Sequence, residues 1–231
     1  IAWRCADSLG LRSFLGYELE RVTPDHSSLS RTRNRIDLET HQQVFDWILK
    51  RLAEHGLLSN GPTGLDASTM EADAAMKSIV RRDGGESYRE YIAGLAQASG
   101  IETPTAEQLA KFDRQRKNKK TGNDDWFNPH DPDAKITQLK DGRTHLAYKP
   151  EHAVDLETGA LLAVEIHAAD QGDTTTMWGT LEKAAGSLQE VREDPQVSAT
   201  CAASGAADPG ELQIRETVQD KGYHSAQTLA N

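Results

Sequence analysis

The side chains best suited to chemistry in this sequence are two aspartates, Asp66 and Asp220, each set at the end of a short apolar segment. Gly64-Leu65 runs into Asp66-Ala67-Ser68-Thr69, a carboxylate followed by small hydroxylated residues. Ile214 to Gln219 runs into Asp220-Lys221-Gly222-Tyr223-His224-Ser225. Such oxygen donors suit a hard cation, since Mg2+ is held by one or two carboxylates together with waters and substrate phosphates. Two ions about 3.5–4 Å apart clamp the attacking and leaving oxygens of an in-line phosphoryl displacement. An aspartate at a strand end also serves as a turn cap, so the pattern leaves both roles open. His145, His152, His167 and His224, with Asp155, form the zinc alternative. Strand alternation sets His145 and His152 on opposite faces, and none of them has the helical spacing of a zinc motif. There is no Gly-x-Ser-x-Gly elbow, no P-loop and no dinucleotide fingerprint.

A second chemistry is cationic. Arg31, Arg33 and Arg35 follow the turn Thr23-Pro24-Asp25-His26-Ser27-Ser28. Lys111, Arg114, Arg116, Lys117, Lys119 and Lys120 lie close together against one acid, Asp113. Both groups suit DNA phosphates, the first on a short helix and the second on a mobile loop that orders on a polyanion. The plainer reading of the arginines is a small helical bundle with a solvated face. Net charge over the 231 residues is −10, from 26 basic and 36 acidic side chains, which opposes nonspecific coating of nucleic acid.

The elements that must position these groups follow from periodicity. Residues 1–58 read as helical, with Val44, Phe45, Ile48, Leu49 and Leu52 at helical spacing and Gly56 as a stop. After Ser59-Asn60-Gly61-Pro62 a strand ends at Asp66, its approach broken by Pro62. Residues 70–141 read as a helical and loop insertion containing a helix from Ser87 to Ala98. Thr144–Asp155 and Ala160–Ala168 are strands of one hairpin, turned at Leu156-Glu157-Thr158-Gly159. On the first strand Leu146, Tyr148 and Val154 share one face and Lys149, Glu151 and Asp155 the other. On the second, Leu162, Val164, Ile166 and Ala168 form the apolar face. Asp173-Thr174-Thr175-Thr176 caps a helix to about Arg192, residues 193–210 read as a loop, and Ile214–Gln219 is a strand leading to a further helix. The expected class is α/β: a mixed sheet with flanking helices (residues 61–231) behind an all-helical region (1–58).

Composition narrows the class further. Hydrophobic residues make up 37% and charged residues 27%, as in a folded domain. No apolar run approaches the roughly 20 residues of a membrane span, and Ile1–Gly10 lacks the apolar stretch of a secretion signal. Two cysteines, Cys5 and Cys201, make neither a disulfide framework nor a zinc knuckle, so a reduced cytoplasmic setting is expected. The sequence opens without methionine and reads as a fragment.

Several blocks, in order, resemble bacterial insertion-sequence DDE transposases. Leu65-Asp66-Ala67-Ser68-Thr69-Met70-Glu71-Ala72-Asp73-Ala74-Ala75-Met76 resembles their first catalytic motif. Asp131-Pro132-Asp133-Ala134-Lys135, Lys140-Asp141-Gly142-Arg143-Thr144-His145-Leu146-Ala147 and Glu151-His152-Ala153-Val154-Asp155 look like the stretch before and within their hairpin. Ala169-Asp170-Gln171-Gly172-Asp173-Thr174-Thr175-Thr176 and Asp220-Lys221-Gly222-Tyr223-His224-Ser225 are similar to later blocks. Ser8-Leu9-Gly10-Leu11-Arg12-Ser13-Phe14-Leu15-Gly16 and Pro24-Asp25-His26-Ser27-Ser28-Leu29-Ser30-Arg31 look like the helical region ahead of the core. The resemblance implies an RNase H-like fold whose acids hold Mg2+ or Mn2+ for phosphodiester cleavage and strand transfer at element ends. It makes Asp66 the first catalytic, metal-ligating acid and Asp220 the second, with Tyr223 and Ser225 at the edge of the site. It implies double-stranded DNA (terminal repeats and target) as partner, a homodimer when full length, no membrane association and a nucleoid-associated location. The family's third acid, a downstream Glu, has no counterpart before Asn231, so this chain is expected to be inactive alone. The alternative is a noncatalytic DNA-binding remnant of a transposase.

Overall fold

The computed structural model describes residues 1–117, 122–139 and 142–224. The chain divides into two units, Ile1–Arg51 and Leu52–Asn231.

The first unit is helical, as its periodicity predicts: α1 (Ala2–Asp7), α2 (Leu9–Phe14), α3 (His26–Arg33) and α4 (Leu38–Glu54), the last running across the division. Its order comes largely from polar local contacts. The buried Arg12 guanidinium donates to the carbonyls of Ala6 (3.2 Å), Leu19 (2.9 Å), Arg21 (2.7 Å) and Glu18. Asp25 caps α3 by accepting from Ser28 N at 2.6 Å. That bond, with those from the Ser27 and Ser28 side chains, lowers the Asp25 carboxyl to about 2. Trp3, Phe14, Val22 and Leu38 stand in solvent. Gly56 follows α4 with φ +67°, a left-handed stop that suits glycine.

The second unit is α/β around one long strand. β6 (Thr144–Asp155) is flanked along one edge by β2 (Met70–Glu71) and then β1 (Thr63–Ala67), and along the other by β5 (Lys135–Gln138) and then β7 (Leu161–Ala168). All these pairings are antiparallel. β8 (Thr217–Gln219) pairs with β1 in parallel, which makes the sheet mixed. The hairpin turns at Gly159, whose φ of +76° explains glycine there.

Two layers cover β6, one on each face. Toward its start, Leu146 packs with Ile79, Trp126, Ala134 and Ile136. Tyr88 and Tyr91 meet the Trp126 ring edge-on, each at 5.4 Å. These rings come from the stretch expected to be a helical and loop insertion. That stretch also contains β2, β5 and the two-strand ladder β3 (Val80–Arg81) with β4 (Trp126–Phe127). Its helices are α5 (Tyr88–Ala98) and α6 (Ala106–Gln115), each opened by a capping box, Ser87 with Glu90 and Thr105 with Gln108.

Toward the end of β6 the helix α7 (Asp173–Arg192) lies on the face of Lys149, Glu151 and Asp155, so the charged face is the buried one. On β7 Glu165 and His167 face α7, while of the expected apolar face Leu162 is buried and Ile166 is 61% exposed. The N-cap of α7 is Gly172, and Asp173 sits inside the first turn. Residues 193–210, expected as a loop, contain α8 (Pro195–Ser204). Asp194 accepts from Gln196 N and Val197 N, Pro195 starts the helix, and Gly205 closes it at φ +75°. The helix expected after β8 is, as far as His224, one 3-10 turn at Lys221–Tyr223. Among the described residues no helix is long and apolar enough to cross a membrane.

Candidate functional site

The parallel ladder between β1 and β8 decides where the two acids meet. Thr63 pairs with Thr217, Gly64 with Val218 and Leu65 with Gln219. The next residue on each chain is Asp66 and Asp220, so two acids distant in sequence come level at the ends of neighbouring parallel strands. Both line one open cleft of about 590 Å3, shared with Gly64, His152, Val154, Leu156 and Val218. Pro62 does not prevent this, because β1 begins only at Thr63. His152 stands opposite Asp66 across the β1–β6 ladder. Gly64 is required by close approach, since a Cβ there would lie 2.6 Å from Leu156 Cδ2.

Each acid spends one oxygen on its own backbone. Asp66 Oδ1 accepts from Ala67 N at 2.9 Å, and Asp220 Oδ1 accepts from Gly222 N at 2.7 Å. Both residues are exposed and neither has a cation paired with it among the described residues. The remaining oxygens form a donor set of the kind Mg2+ or Mn2+ accepts, two carboxylates with room for water and phosphate. Among the described residues no three His, Cys, Asp or Glu side chains converge into a metal-holding group. His145 bonds Glu71 at 2.6 Å, His167 faces α7, and His152 lies in the cleft, so the histidines of the zinc alternative are scattered.

Asp155, the remaining member of that alternative, has a structural task. It is 3% exposed and accepts from Ser59 N (2.7 Å), Ser59 Oγ (2.8 Å), Glu157 N (2.9 Å) and Thr158 N (3.3 Å). Burial works to raise its carboxyl, but these donors outweigh it and hold the group below the usual carboxylate range.

Beneath the acids lies a buried ionic network that sequence reasoning did not find. Glu151 is 0% exposed and accepts from Thr176 Oγ1 (2.8 Å), Thr180 Oγ1 (2.5 Å) and the Tyr223 hydroxyl (3.0 Å). Lys149 Nζ lies 3.8 Å from Glu151 and 2.6 Å from Asp173, and donates to Thr176 Oγ1 at 2.9 Å. His167 Nε2 is 3.5 Å from Glu151 and 3.1 Å from Thr180 Oγ1. Burial first, then the Glu151 carboxylate, then Asp173 and Asp66 push the Tyr223 phenol well above its ordinary value, so it stays a donor. The available signal was Lys149 and Glu151 two apart on a strand, facing Thr176 and Thr180 four apart on a helix. It becomes legible only once the buried face is known.

The cationic candidates separate. Arg31, Arg33 and Arg35 are all exposed. Arg31 and Arg33, two apart on α3, project to opposite sides, so the three do not form one stripe. Lys111 and Arg114 sit in solvent on α6 rather than on a loop, and Lys117 is exposed just beyond it. Arg116 is internally engaged instead: it bonds Asp113 at 3.1 Å, approaches Tyr88 Oη at 3.4 Å and lies over the Tyr91 ring. Lys119, Lys120 and Ser225 lie outside the described residues. Tyr223 is 1% exposed and faces Glu151, so it is a buried support of the Asp220 turn and not a surface contact.

Compared with known proteins, the chain matches no family model, no curated protein and no solved structure.

Proposed function

We propose that this chain is part of the core of a DNA transposase of the DDE type, a class that acts on phosphodiester bonds, and that Asp66 and Asp220 are the first two of its acids. The observation that carries the reading is the β1–β8 register, which levels the two aspartates in one cleft. Two carboxylates facing one cleft repel each other, and a cation between them would relieve that repulsion. A phosphate substrate brings further negative charge, so the acids suit it only through a shared cation. Mg2+ or Mn2+ bound there would neutralise the phosphodiester and activate the attacking oxygen. The residues that would hold it are Asp66 and Asp220, through the oxygens not bonded to Ala67 N and Gly222 N.

An RNase H-like core is the fold reading that fits this use of the sheet. Acids stand level on two adjacent parallel strands, the inner β1 and the outer β8, and α7 seals the face of Glu151. DNA phosphates are assigned to the exposed Arg31, Arg33, Arg35, Lys111, Arg114 and Lys117. Homodimer formation and terminal-repeat recognition belong to the same proposal.

The test is Mn2+ titration of the purified chain, followed by the paramagnetic relaxation of water protons. Wild type binds, and Asp66→Asn or Asp220→Asn each weaken binding by at least about tenfold. Equal binding by all three proteins overturns the cation reading. If DNA is still bound with affinity that falls steeply with salt, the noncatalytic DNA-binding reading takes its place.

A further inference from the structure

We infer that the buried Glu151 is a positioning residue for Asp220, acting through Tyr223 and the turn between them. The inference rests on the proposed use of Asp220 as a cation-holding acid.

Asp220 ends β8 and stands in solvent, where a carboxylate on a strand end is free to swing. Its backbone is nonetheless held from two sides. Below, Tyr223 leaves the 3-10 turn Lys221–Tyr223, is 1% exposed, and donates its hydroxyl to Glu151 Oε1 at 3.0 Å. Glu151 cannot yield, because Thr176 and Thr180 on α7 also bond it, and β6 carries it in the middle of the sheet. Beside the turn, Asp173 is fixed at 2.6 Å by Lys149, itself anchored to Thr176.

Asp173 then packs against Gly222 so closely that a Cβ at that position would lie 2.5 Å from its Oδ2 and 3.0 Å from Asp220 Oδ1. Gly222 N donates to that same Asp220 oxygen at 2.7 Å. The geometry therefore runs in one chain of contacts: Glu151 to Tyr223, Tyr223 to the turn, the turn to the Asp220 carboxylate. Preorganised donors hold a cation better than mobile ones, because the ordering cost falls before binding. A buried acid that never touches the cation thus sets how well Asp220 can hold one.

Tyr223→Phe removes only the hydroxyl and leaves Glu151 its two threonine donors. Two measurements are made: amide hydrogen exchange resolved by residue, and Mn2+ affinity. Exchange at Gly222 and Tyr223 should quicken about tenfold, the scale of one hydrogen bond to a charged group, while β6 and α7 stay protected. Mn2+ affinity should fall about fivefold or more, the cost of a less ordered ligand. Gly222→Ala, which strikes the same turn from the Asp173 side, should reproduce both effects.

Unchanged exchange in the turn overturns the inference. So does a loosened turn with wild-type Mn2+ affinity, and so does faster exchange throughout β6 and α7, which marks a purely structural role. Should the wild type bind no Mn2+ beyond the level of Asp66→Asn while the turn still loosens locally, the cation reading of Asp220 fails. Glu151 is then an anchor without a positioning role.

Discussion

Replacing Asp155 by asparagine tests whether this acid holds the sheet together, as opposed to serving a reaction. Its Oδ2 accepts from Ser59 N, and its Oδ1 accepts from Ser59 Oγ, Glu157 N and Thr158 N. Asparagine offers one oxygen and one NH2, so whichever way the amide turns, a backbone N–H faces another donor. Leaving a buried donor unpaired costs about 1–3 kcal/mol, and the surviving bonds lose their charge assistance, for a total of roughly 2–4 kcal/mol. At 2–4 °C per kcal/mol for a unit of this size, the melting temperature should drop by roughly 4–16 °C. The pH dependence supplies a second check. The folded carboxyl titrates below its unfolded value of about 3.9, so its contribution is complete above that pH and fades as pH falls through the folded value. The deficit of Asp155→Asn, measured by urea unfolding, should therefore be full at pH 7 and narrow progressively below about pH 4. A variant within about 0.5 kcal/mol of wild type at pH 7, or a deficit that stays constant into acid, refutes the assignment.

Three further variants test other contacts. Glu151→Ala removes the acceptor of Thr176, Thr180 and Tyr223 and should cost about 3–5 kcal/mol in urea unfolding; a loss under about 1 kcal/mol would mean the network is not a satisfied buried one. Arg114→Ala should lower the slope of log affinity for DNA against log salt by about 0.9 with melting unchanged. Arg116→Ala should instead lower the melting temperature, since Arg116 ties Asp113 to Tyr91, and leave the salt slope alone. The reverse pattern would put the DNA contact on Arg116.

Local signals in the chain were enough for much of the architecture. The run of strand-forming residues over Thr144–Asp155 and glycine at 159 specify the hairpin, because side-chain period and turn handedness are properties of a few consecutive residues. The capped start at Ser87 specifies α5 for the same reason. α8 was equally local, with Asp194-Pro195 at its start and Gly205 at its end, but its Ala- and Ser-rich composition hides it.

What a sequence cannot state is which face of a strand meets a helix. Lys149 and Glu151 are buried because α7 lies over them and its Thr176 and Thr180 supply hydroxyls, at positions 25 and more residues away. Arg116 shows the same limit, since a run of cations does not reveal that one of them is committed to an aspartate and a ring. The meeting of Asp66 and Asp220 stands between the two cases. Each residue, at a strand end and ahead of a turn, was visible from its neighbours. Their alignment was decided by the parallel β1–β8 register, which hydrogen bonds between distant segments set and no local pattern encodes.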